Sequence, residues 1–275
     1  MNPNNANTKG GMMPVNAIPA MKAAALRAGV MLRGEQSRSQ MIAQSYKDFV
    51  TQQDLESERL IIETLRAEFP NMPFFAEESG GNFSQTGLIW IVDPLDGTIS
   101  YYKGNPTWGI SIALVQDGVS VAGVVYIPVA RQLFSATIDS PTELIVDGES
   151  EIRHPKVSEK SELERCNVAI GYGKPGFANP PENPFWKIWE RLRLAGIHGQ
   201  VMTSCTAFMM KIVTGEVDIS VDQPDFFDTA AAGLIVKQAG GRVTDFNGND
   251  WKCHSPRTLT TNSLVHEQLL SIING

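Results

Sequence analysis

Two aspartates three residues apart form the motif of this chain that most strongly suggests chemistry. Asp93 and Asp96 frame a proline and a leucine in the sequence Asp-Pro-Leu-Asp-Gly-Thr, which directly follows the apolar run 88–92. This run has the length and composition of a buried strand, so the two carboxylates are predicted to lie where that strand ends. Carboxylates at this spacing can bind one hard cation, and the carbonyl of Leu95 can add a third oxygen. An ordinary turn is the alternative, because Asp, Pro and Gly are frequent turn residues.

A second pair of acids follows another short apolar segment upstream. Glu77 and Glu78 come directly after the apolar residues 74–76, and two strands that both end in acids can place them around one cavity. Side chains alternate between the faces of a strand, so only one of the two glutamates is expected to face the same ion. A solvated acidic loop is the alternative for this pair.

A further acid, Asp54, stands at the start of a predicted helix. The apolar residues between positions 55 and 69 recur at near-helical spacing, and the pattern stops at Pro70. With Thr51 as N-cap and an acid three residues later, this start resembles a capping box, and the acid also suits the helix dipole. Helix capping and catalysis are therefore both open for Asp54 on the sequence alone.

Another acid, Asp228, precedes a run of small and apolar residues far downstream. The run ends at Gly240 and Gly241, as a helix with a glycine after its last turn does, so Asp228 is predicted to be the N-cap of a helix. The Ala and Gly content of this helix implies close packing against a sheet. Capping alone is the alternative role for Asp228.

The elements that would position these acids can be assigned coarsely. Helices are predicted over residues 17–32 and 55–69, and strands over 88–92, 109–115, 120–127 and 132–137. Together they form an antiparallel sheet faced by two helices. From about Thr142 strands and helices alternate, which is typical of an α/β lobe. Its strands are predicted at 168–171, 217–221 and 242–246, and its helices at 184–195, at 207–214, after Asp228 and at 263–273.

This organisation predicts a tail and two lobes. Residues 1–14, rich in Asn and Gly, are expected to be a disordered tail. Residues 15–141 form an N-terminal α+β lobe with most of the acids, and residues 142–275 form a C-terminal α/β lobe with Asp228. The stretch 172–183, punctuated by Gly and Pro, is predicted to be a loop at the border of the site.

The composition agrees with a soluble enzyme. The chain has 275 residues, of which 42% are hydrophobic, enough to bury a large core. No apolar run approaches the roughly 20 residues of a membrane span, and the polar N-terminal segment has no signal-peptide core, so a cytoplasmic protein is expected. Cys166, Cys205 and Cys253 are scattered, which favours reduced thiols. The net charge of −7 argues against nucleic-acid binding.

Taken together, these motifs resemble those of a known family. From about Lys47 to the C-terminal helix, the chain is similar to the inositol monophosphatase family of magnesium-dependent, lithium-sensitive phosphomonoesterases. Four motifs occur in the family's order, and the third is highly specific. They are Val-Thr-Gln-Gln-Asp at 50–54, Glu-Glu-Ser at 77–79, Trp-Ile-Val-Asp-Pro-Leu-Asp-Gly-Thr at 90–98 and Asp-Thr-Ala-Ala-Ala-Gly at 228–233.

The resemblance implies a role for each of these residues, and it also implies a fold. Carboxylate ligands for two or three magnesium ions would come from Glu77, Asp93, Asp96 and Asp228. Leu95 would add its carbonyl, Asp54 and Thr98 would activate the attacking water, and the amides of Gly97 and Thr98 would contact the phosphate. The implied fold is a layered αβαβα sandwich of the sugar-phosphatase type. The implied assembly is a homodimer.

The departures from the family pattern lie on the substrate side. Phe227 stands where family members usually carry Trp, and Cys205 replaces a small residue. Asp222 stands where an acid would hold substrate hydroxyls, although the loop from it to Asp228 is about one residue short. The residues expected to bind substrate are Gly97, Thr98, Ser204, Cys205 and Asp222.

The choice of substrate stays open at this point. A small phosphorylated polyol or sugar such as inositol monophosphate is expected. The alternatives are a nucleotide 3′-phosphate such as 3′-phosphoadenosine 5′-phosphate, fructose 1,6-bisphosphate and histidinol phosphate, all substrates within the same superfamily. A non-catalytic binding protein is a remote alternative, because every type of metal ligand is intact in the sequence.

Overall fold

The computed structural model describes residues 13–44, 49–81, 83–171, 184–223, 226–252, 255 and 257–275. The predicted tail lies outside the described residues except for its last two positions, and so does the predicted loop at 172–183. The helices are α1 (Ala17–Glu35), α2 (Gln52–Glu68), α3 (Thr98–Tyr102), α4 (Pro184–Leu194), α5 (Cys205–Val213), α6 (Phe226–Gln238) and α7 (His266–Asn274).

The strands form one hairpin and two sheets. The hairpin consists of β1 (Met41–Gln44) and β2 (Phe49–Thr51). The first sheet contains β3 (Phe74–Ala76), β4 (Leu88–Asp96), β5 (Gly109–Gln116), β6 (Val119–Ile127), β7 (Gln132–Thr137) and β8 (Ser140–Val146), side by side in chain order. The second sheet contains β9 (Val168–Ile170), β10 (Gly199–Val201), β11 (Ile219–Asp222), β12 (Arg242–Thr244) and β13 (Thr258–Thr261), in the order β10-β9-β11-β13-β12.

The helices and sheets stack in five layers. Helices α1 and α2 cover one face of the first sheet, and α5 and α6 lie between its other face and the second sheet. The outer face of the second sheet packs against α4 and α7. This is the αβαβα sandwich that the family resemblance implied.

Strand β4 lies between β3 and β5 in the first sheet and is buried on both faces. Ile89 and Ile91 pack into the core on the α6 side, whereas Trp90 and Val92 pack into the core under α1 and α2. Because alternate side chains of a strand point to opposite faces, burial on both faces requires a continuous apolar run. This requirement explains the run that precedes Asp93.

The backbone of helix α6 lies directly against the backbone of the first sheet. A Cβ atom on Gly123 of β6 would lie 2.9 Å from the carbonyl oxygen of Ala231 and 3.1 Å from its Cα. Only glycine opposite alanine permits this approach, so the prediction of close packing for the small residues of this helix is confirmed. The approach also brings Asp228, in the first turn of α6, to the edge of a sheet formed by the other half of the chain.

Several predicted boundaries differ from the structure for local reasons. Helix α6 begins at Phe226, so the prediction of Asp228 as N-cap was wrong. Helix α7 begins at His266 and not at the predicted Ser263. Ser263 has a φ of +74°, which is not helical geometry. Strand β8 spans the predicted boundary between residues 141 and 142, and its pairing with β7 keeps it in the first sheet.

Two further features of the strands differ from the prediction. The first sheet is not purely antiparallel, because β3 pairs with β4 in parallel. The hairpin β1–β2 and the short strands β8, β10 and β13 were not predicted.

The described residues contain no helix with the length and the apolar character that a bilayer crossing requires.

Candidate metal centre

The end of β4 brings Asp93 and Asp96 to the same side of the sheet. Residues three apart in a regular strand face opposite sides. Here Asp93 is paired with Ser111 and Asp96 with Gly109, so three steps along β4 match two steps along β5. This β-bulge at the Pro-Leu pair compensates for the odd spacing and lets both carboxylates face one point.

Asp228 completes a cluster of three carboxylates with this pair. Oxygens of Asp93, Asp96 and Asp228 all lie within 4.8 Å of one another. Glu77, at the end of β3, is exposed and is not part of this group. Its charge nevertheless acts on the cluster, because it helps to raise the pKa values of Asp93 and Asp228.

The electrostatics of Asp93 fit a bound cation. Its side chain is 0% exposed, and burial followed by the charge of Glu77 raises its pKa well above the usual range. Its Oδ1 accepts a hydrogen bond of 2.9 Å from the Leu95 amide, whereas its buried Oδ2 accepts none from the described residues. A buried carboxylate oxygen without a donor, next to other carboxylates, is costly unless a cation binds there. The all-oxygen donor set suits a hard divalent ion.

Asp96 is held in place by the start of α5. Its Oδ2 accepts hydrogen bonds of 2.6 Å each from the Ser204 hydroxyl and the Thr206 amide. Burial raises the pKa of Asp96, and these two hydrogen bonds lower it. The hydroxyl of Ser204 also accepts a hydrogen bond from the Ala207 amide and so caps α5. Ser204 was predicted to bind substrate; in the structure its hydroxyl is engaged with Asp96.

Gly97 connects this cluster to helix α3. It has a φ of +89° and immediately precedes the helix. A Cβ atom at this position would lie 3.0 Å from Cβ of Ser204 and 3.1 Å from the carbonyl oxygen of Thr107. Both the left-handed backbone and the close neighbours therefore require glycine.

Asp54 and Thr98 are hydrogen-bonded to each other. The Thr98 hydroxyl lies 2.9 Å from Oδ1 of Asp54 and 3.1 Å from the carbonyl oxygen of Leu95. The second oxygen of Asp54 accepts hydrogen bonds from the amide and the hydroxyl of Thr51, which completes the predicted capping box. Burial is the main reason that the pKa of Asp54 rises to about 6. Asp54 thus caps α2 with one oxygen and contacts the site with the other.

Sequence reasoning missed two polar residues of α2 that contact the site. The Ser57 hydroxyl donates a hydrogen bond of 2.8 Å to the carbonyl oxygen of Pro94. The Glu58 carboxylate accepts hydrogen bonds from the amides of Glu78, at 2.9 Å, and Ser79, at 3.0 Å. Buried polar residues three and four positions after Asp54 lie on its helix face, and this spacing is the signal that could have identified them.

The predicted substrate side contains a half-buried acid and a buried thiol. Asp222 ends β11 next to Gly171, where a Cβ atom would lie 1.8 Å from Oδ1 of Asp222. Burial is the main cause that raises the pKa of Asp222 to about 7. Cys205 is buried, and its thiol lies 3.7 Å from the sulfur of Met209. Burial raises the pKa of this thiol well above its usual range, so it stays protonated.

Phe227 belongs to an aromatic cluster behind the acids. Its ring centroid lies 4.7 Å from that of Phe75, and Phe83, Phe226 and Trp251 continue the cluster. Aromatic pairs at such distances contribute about 0.5–1.5 kcal/mol beyond their buried area. Because Phe75 precedes Glu77 and Phe227 precedes Asp228, the cluster fastens these two acidic segments to each other.

Several known proteins are similar to this chain in sequence. Residues 15–274 match the model of the inositol monophosphatase family. The chain is 32% identical over 230 residues to the fructose-1,6-bisphosphatase/inositol-1-monophosphatase of Thermotoga maritima, an overlap of 83% of this chain and 84% of that protein. It is also 32% identical over 231 residues to the histidinol-phosphatase of Mycobacterium tuberculosis, an overlap of 82% and 85%.

The likeness extends to solved structures. The extragenic suppressor protein suhB from Bartonella henselae matches with a TM-score of 0.82 and 28% sequence identity, over 93% of this chain and 97% of that one. The similarity thus covers both sheets and the helical layer between them.

Proposed function

The chain belongs to the inositol monophosphatase family and is a phosphoric monoester hydrolase, and on this premise we propose that it is a magnesium-dependent enzyme acting on a small phosphorylated polyol or sugar, such as inositol monophosphate. One observation carries the proposal. Asp93, Asp96 and Asp228 converge from two distant parts of the chain, and a buried oxygen of Asp93 has no donor among the described residues.

The metal would be held by residues of three segments. Asp93 and Asp96 come from β4, Asp228 from α6 and Glu77 from the end of β3, with the carbonyl of Leu95 as a further oxygen. We propose two or three magnesium ions at this donor set. When bound, magnesium would neutralise charge on phosphate oxygens and lower the pKa of a water molecule.

Thr98 and Asp54 would orient that water and take its proton. The Thr98 hydroxyl donates to Asp54, which leaves lone pairs on Oγ1 to accept a hydrogen bond from water. With a pKa of about 6, Asp54 is mostly ionised at neutral pH and can accept the proton that Thr98 passes on. The amides of Gly97 and Thr98, at the start of α3, would donate to the phosphate.

The substrate beyond its phosphate would contact Asp222 and the segment around Cys205. The half-buried carboxylate of Asp222 can accept hydrogen bonds from sugar or polyol hydroxyls, which supports a polyhydroxylated substrate. Sequence identity does not choose the substrate, because the bisphosphatase/inositol-monophosphatase and the histidinol-phosphatase are equally similar to this chain. Histidinol phosphate, fructose 1,6-bisphosphate and nucleotide 3′-phosphates therefore stay as alternatives.

We further propose lithium sensitivity, a homodimer and a cytoplasmic location, with neither a nucleic acid nor a membrane as partner. Lithium would compete for a weakly held magnesium position in the carboxylate cluster. The net charge of −7 supports a small-molecule substrate over a nucleic acid, because phosphate backbones bind basic surfaces.

A substrate panel tests the proposed function. Purified protein is incubated with inositol 1-phosphate, fructose 1,6-bisphosphate, histidinol phosphate or 3′-phosphoadenosine 5′-phosphate, and released phosphate is measured with magnesium, with a chelator and with added lithium. We expect magnesium-dependent release, fastest with the polyol phosphate, and inhibition by millimolar lithium. Release from none of the four substrates would favour the non-catalytic binding protein, and an unchanged rate under chelation would exclude the metal mechanism.

A further inference from the structure

Glu58 is a buried acid that bonds to the backbone of the segment following Glu77. Its side chain belongs to α2 and the residue is only 4% exposed. One carboxylate oxygen accepts a hydrogen bond of 2.9 Å from the Glu78 amide, and the other accepts a hydrogen bond of 3.0 Å from the Ser79 amide. Both oxygens of a charged side chain are thus directed at two consecutive amides. Hydrogen bonds to an ionised carboxylate are about twice as strong as neutral ones.

The segment that Glu58 holds is a tight turn fixed on several sides. Ala76 and Gly80 exchange two backbone hydrogen bonds, of 3.0 and 2.9 Å, which close the turn. The amide of Glu77 donates a hydrogen bond of 3.0 Å to the carbonyl oxygen of Val92, the residue before Asp93. The next two amides point to Glu58. The backbone of Glu77 is therefore anchored to β4 on one side and to α2 on the other, while its side chain is exposed.

Glu58 is the third of three polar residues on one face of α2. Asp54, Ser57 and Glu58 are spaced i, i+3 and i+4, which places them on neighbouring positions of the helix surface. They contact the Thr98 hydroxyl, the Pro94 carbonyl and the turn after Glu77 respectively. The first two turns of α2 therefore hold the segments that carry the proposed metal ligands and Thr98.

We propose that Glu58 is a positioning residue that sets the affinity of the site for magnesium by holding the Glu77 segment against α2. This inference rests on the proposed function, because it requires a cation at the carboxylate cluster. Asp93 and Asp96 are held by the sheet and by α5, whereas the segment of Glu77 is held by the turn whose amides donate to Glu58. Residues that orient metal ligands in this way typically contribute 10–100-fold to metal affinity or activity.

The test is Glu58→Gln in the full chain. A glutamine keeps the size of the side chain and can accept one of the two amides, but its own NH2 group would face the second amide as donor against donor. We expect the dissociation constant for magnesium, measured by calorimetry without substrate, to rise about tenfold or more. The magnesium concentration for half-maximal turnover should rise in parallel, while turnover at saturating magnesium stays within about threefold of the wild type.

Glu56→Gln is the matched control. Glu56 lies on the same helix, but its carboxylate pairs with Arg59 at the surface. This variant removes the same charge from α2, so it should leave the dissociation constant for magnesium unchanged. A shift equal to that of Glu58→Gln would assign the effect to net charge and overturn the positioning role.

The outcomes separate this inference from the proposed function. A wild-type protein that does not bind magnesium contradicts the proposed function itself. Wild-type binding together with an equally tight Glu58→Gln variant, whether or not its melting temperature falls, overturns the positioning role alone. If Glu58→Gln does not fold, Glu58→Asp keeps the charge but withdraws it from the turn, and the same loss of affinity is expected. Failure of both variants to fold would assign Glu58 to the stability of the core and overturn the inference.

Discussion

Two buried aspartates in different regions of this molecule have opposite hydrogen-bonding and charge environments. Asp218, the residue before β11 of the second sheet, and Asp93, in the first sheet, are each 0% exposed. Asp218 accepts hydrogen bonds from Lys160 at 2.8 Å, from the Asn167 amide at 2.6 Å and from the Ser158 hydroxyl. Within the part of the chain that the structure describes, Asp93 accepts one amide hydrogen bond, and the charges that raise its pKa are those of other carboxylates.

The difference separates a structural acid from the acid that we propose as a metal ligand. Burying a carboxylate is costly unless donors or an opposite charge replace the water it loses. At Asp218 the chain supplies both from its own residues. At Asp93 the chain supplies neither in full and instead adds Asp96, Asp228 and the nearby charge of Glu77. A cation from solution removes this deficit, so the unsatisfied site is the one expected to bind a ligand.

Neutralising Asp93 is the strongest way to break the comparison. Asp93→Asn removes a metal ligand but keeps the shape of the side chain, so turnover should fall by about three orders of magnitude or more, since a metal contributes several kcal/mol of transition-state stabilisation. The fold should persist, and the melting temperature in chelator should not fall, because a source of like-charge repulsion is gone. Phosphate release and circular dichroism measure both effects. Normal turnover in a folded variant would contradict the metal assignment.

Substitutions of Asp54 and Thr98, the two residues proposed to orient the attacking water, should have the next largest effect on turnover. Asp54→Asn and Thr98→Val should each lower turnover about 10²–10⁴-fold, the range that general-base catalysis contributes. If both residues act on one water, as we propose, the double variant should be little slower than either single one. If Asp54 were only a cap, its loss would cost about 1 kcal/mol of stability and little activity. Steady-state rates of the three variants decide, and a multiplicative loss in the double variant would show two independent roles.

Much of this site could be predicted from the sequence because its signals are local. The apolar run before Asp93, the odd spacing to Asp96 and the acid three residues after Thr51 each reflect a short-range rule of strands, turns or caps. The convergence of Asp228 with the other acids came from the family resemblance. Its local signal indicated only a cap, and that prediction was wrong in position because the helix begins two residues earlier, at Phe226.

The features that were missed depend on contacts between distant segments. Glu58 accepts amides 20 and 21 residues away, and Ser57 donates to a carbonyl 37 residues away, so neither partner is visible in a local pattern. The parallel pairing of β3 with β4 is likewise set by the tertiary fold. The hydrogen bond from Ser204 to Asp96, which joins residues 108 apart, was not predicted either. Short-range rules identify which residues are polar and buried, and the fold decides what they contact.

The structural acid offers the converse test. Asp218→Asn keeps the shape of the side chain but replaces one accepting oxygen by an NH2 donor and leaves Lys160 without its counter-charge. The free energy of unfolding should therefore fall by about 2–4 kcal/mol, less than for a fully buried pair because Lys160 reaches solvent. Turnover at a temperature where the variant is folded should stay within about twofold of the wild type. Urea denaturation and phosphate release measure the two quantities. A large loss of turnover without a loss of stability would erase the distinction between the two acids.

The smallest expected effect is on the pH dependence of turnover. The pKa of Asp54 is raised to about 6, chiefly by burial, whereas its ordinary value is 3.8. A raised carboxyl pKa means that the proton-accepting form is lost as the pH falls through about 6. At pH 5 about nine-tenths of Asp54 would be protonated, so turnover through this residue should fall about tenfold from its plateau.

Other groups titrate in the same range, since a phosphate ester has a second pKa near 6. The ratio of wild-type turnover to that of Asp54→Asn removes their contribution, because the substrate and the metal ligands are common to both proteins. This ratio should be constant above about pH 7 and should decline below about pH 6 towards unity, since a protonated Asp54 accepts no more protons than an asparagine. A ratio that is constant between pH 5 and 8 would mean that the buried carboxyl of Asp54 caps α2 without taking part in the reaction.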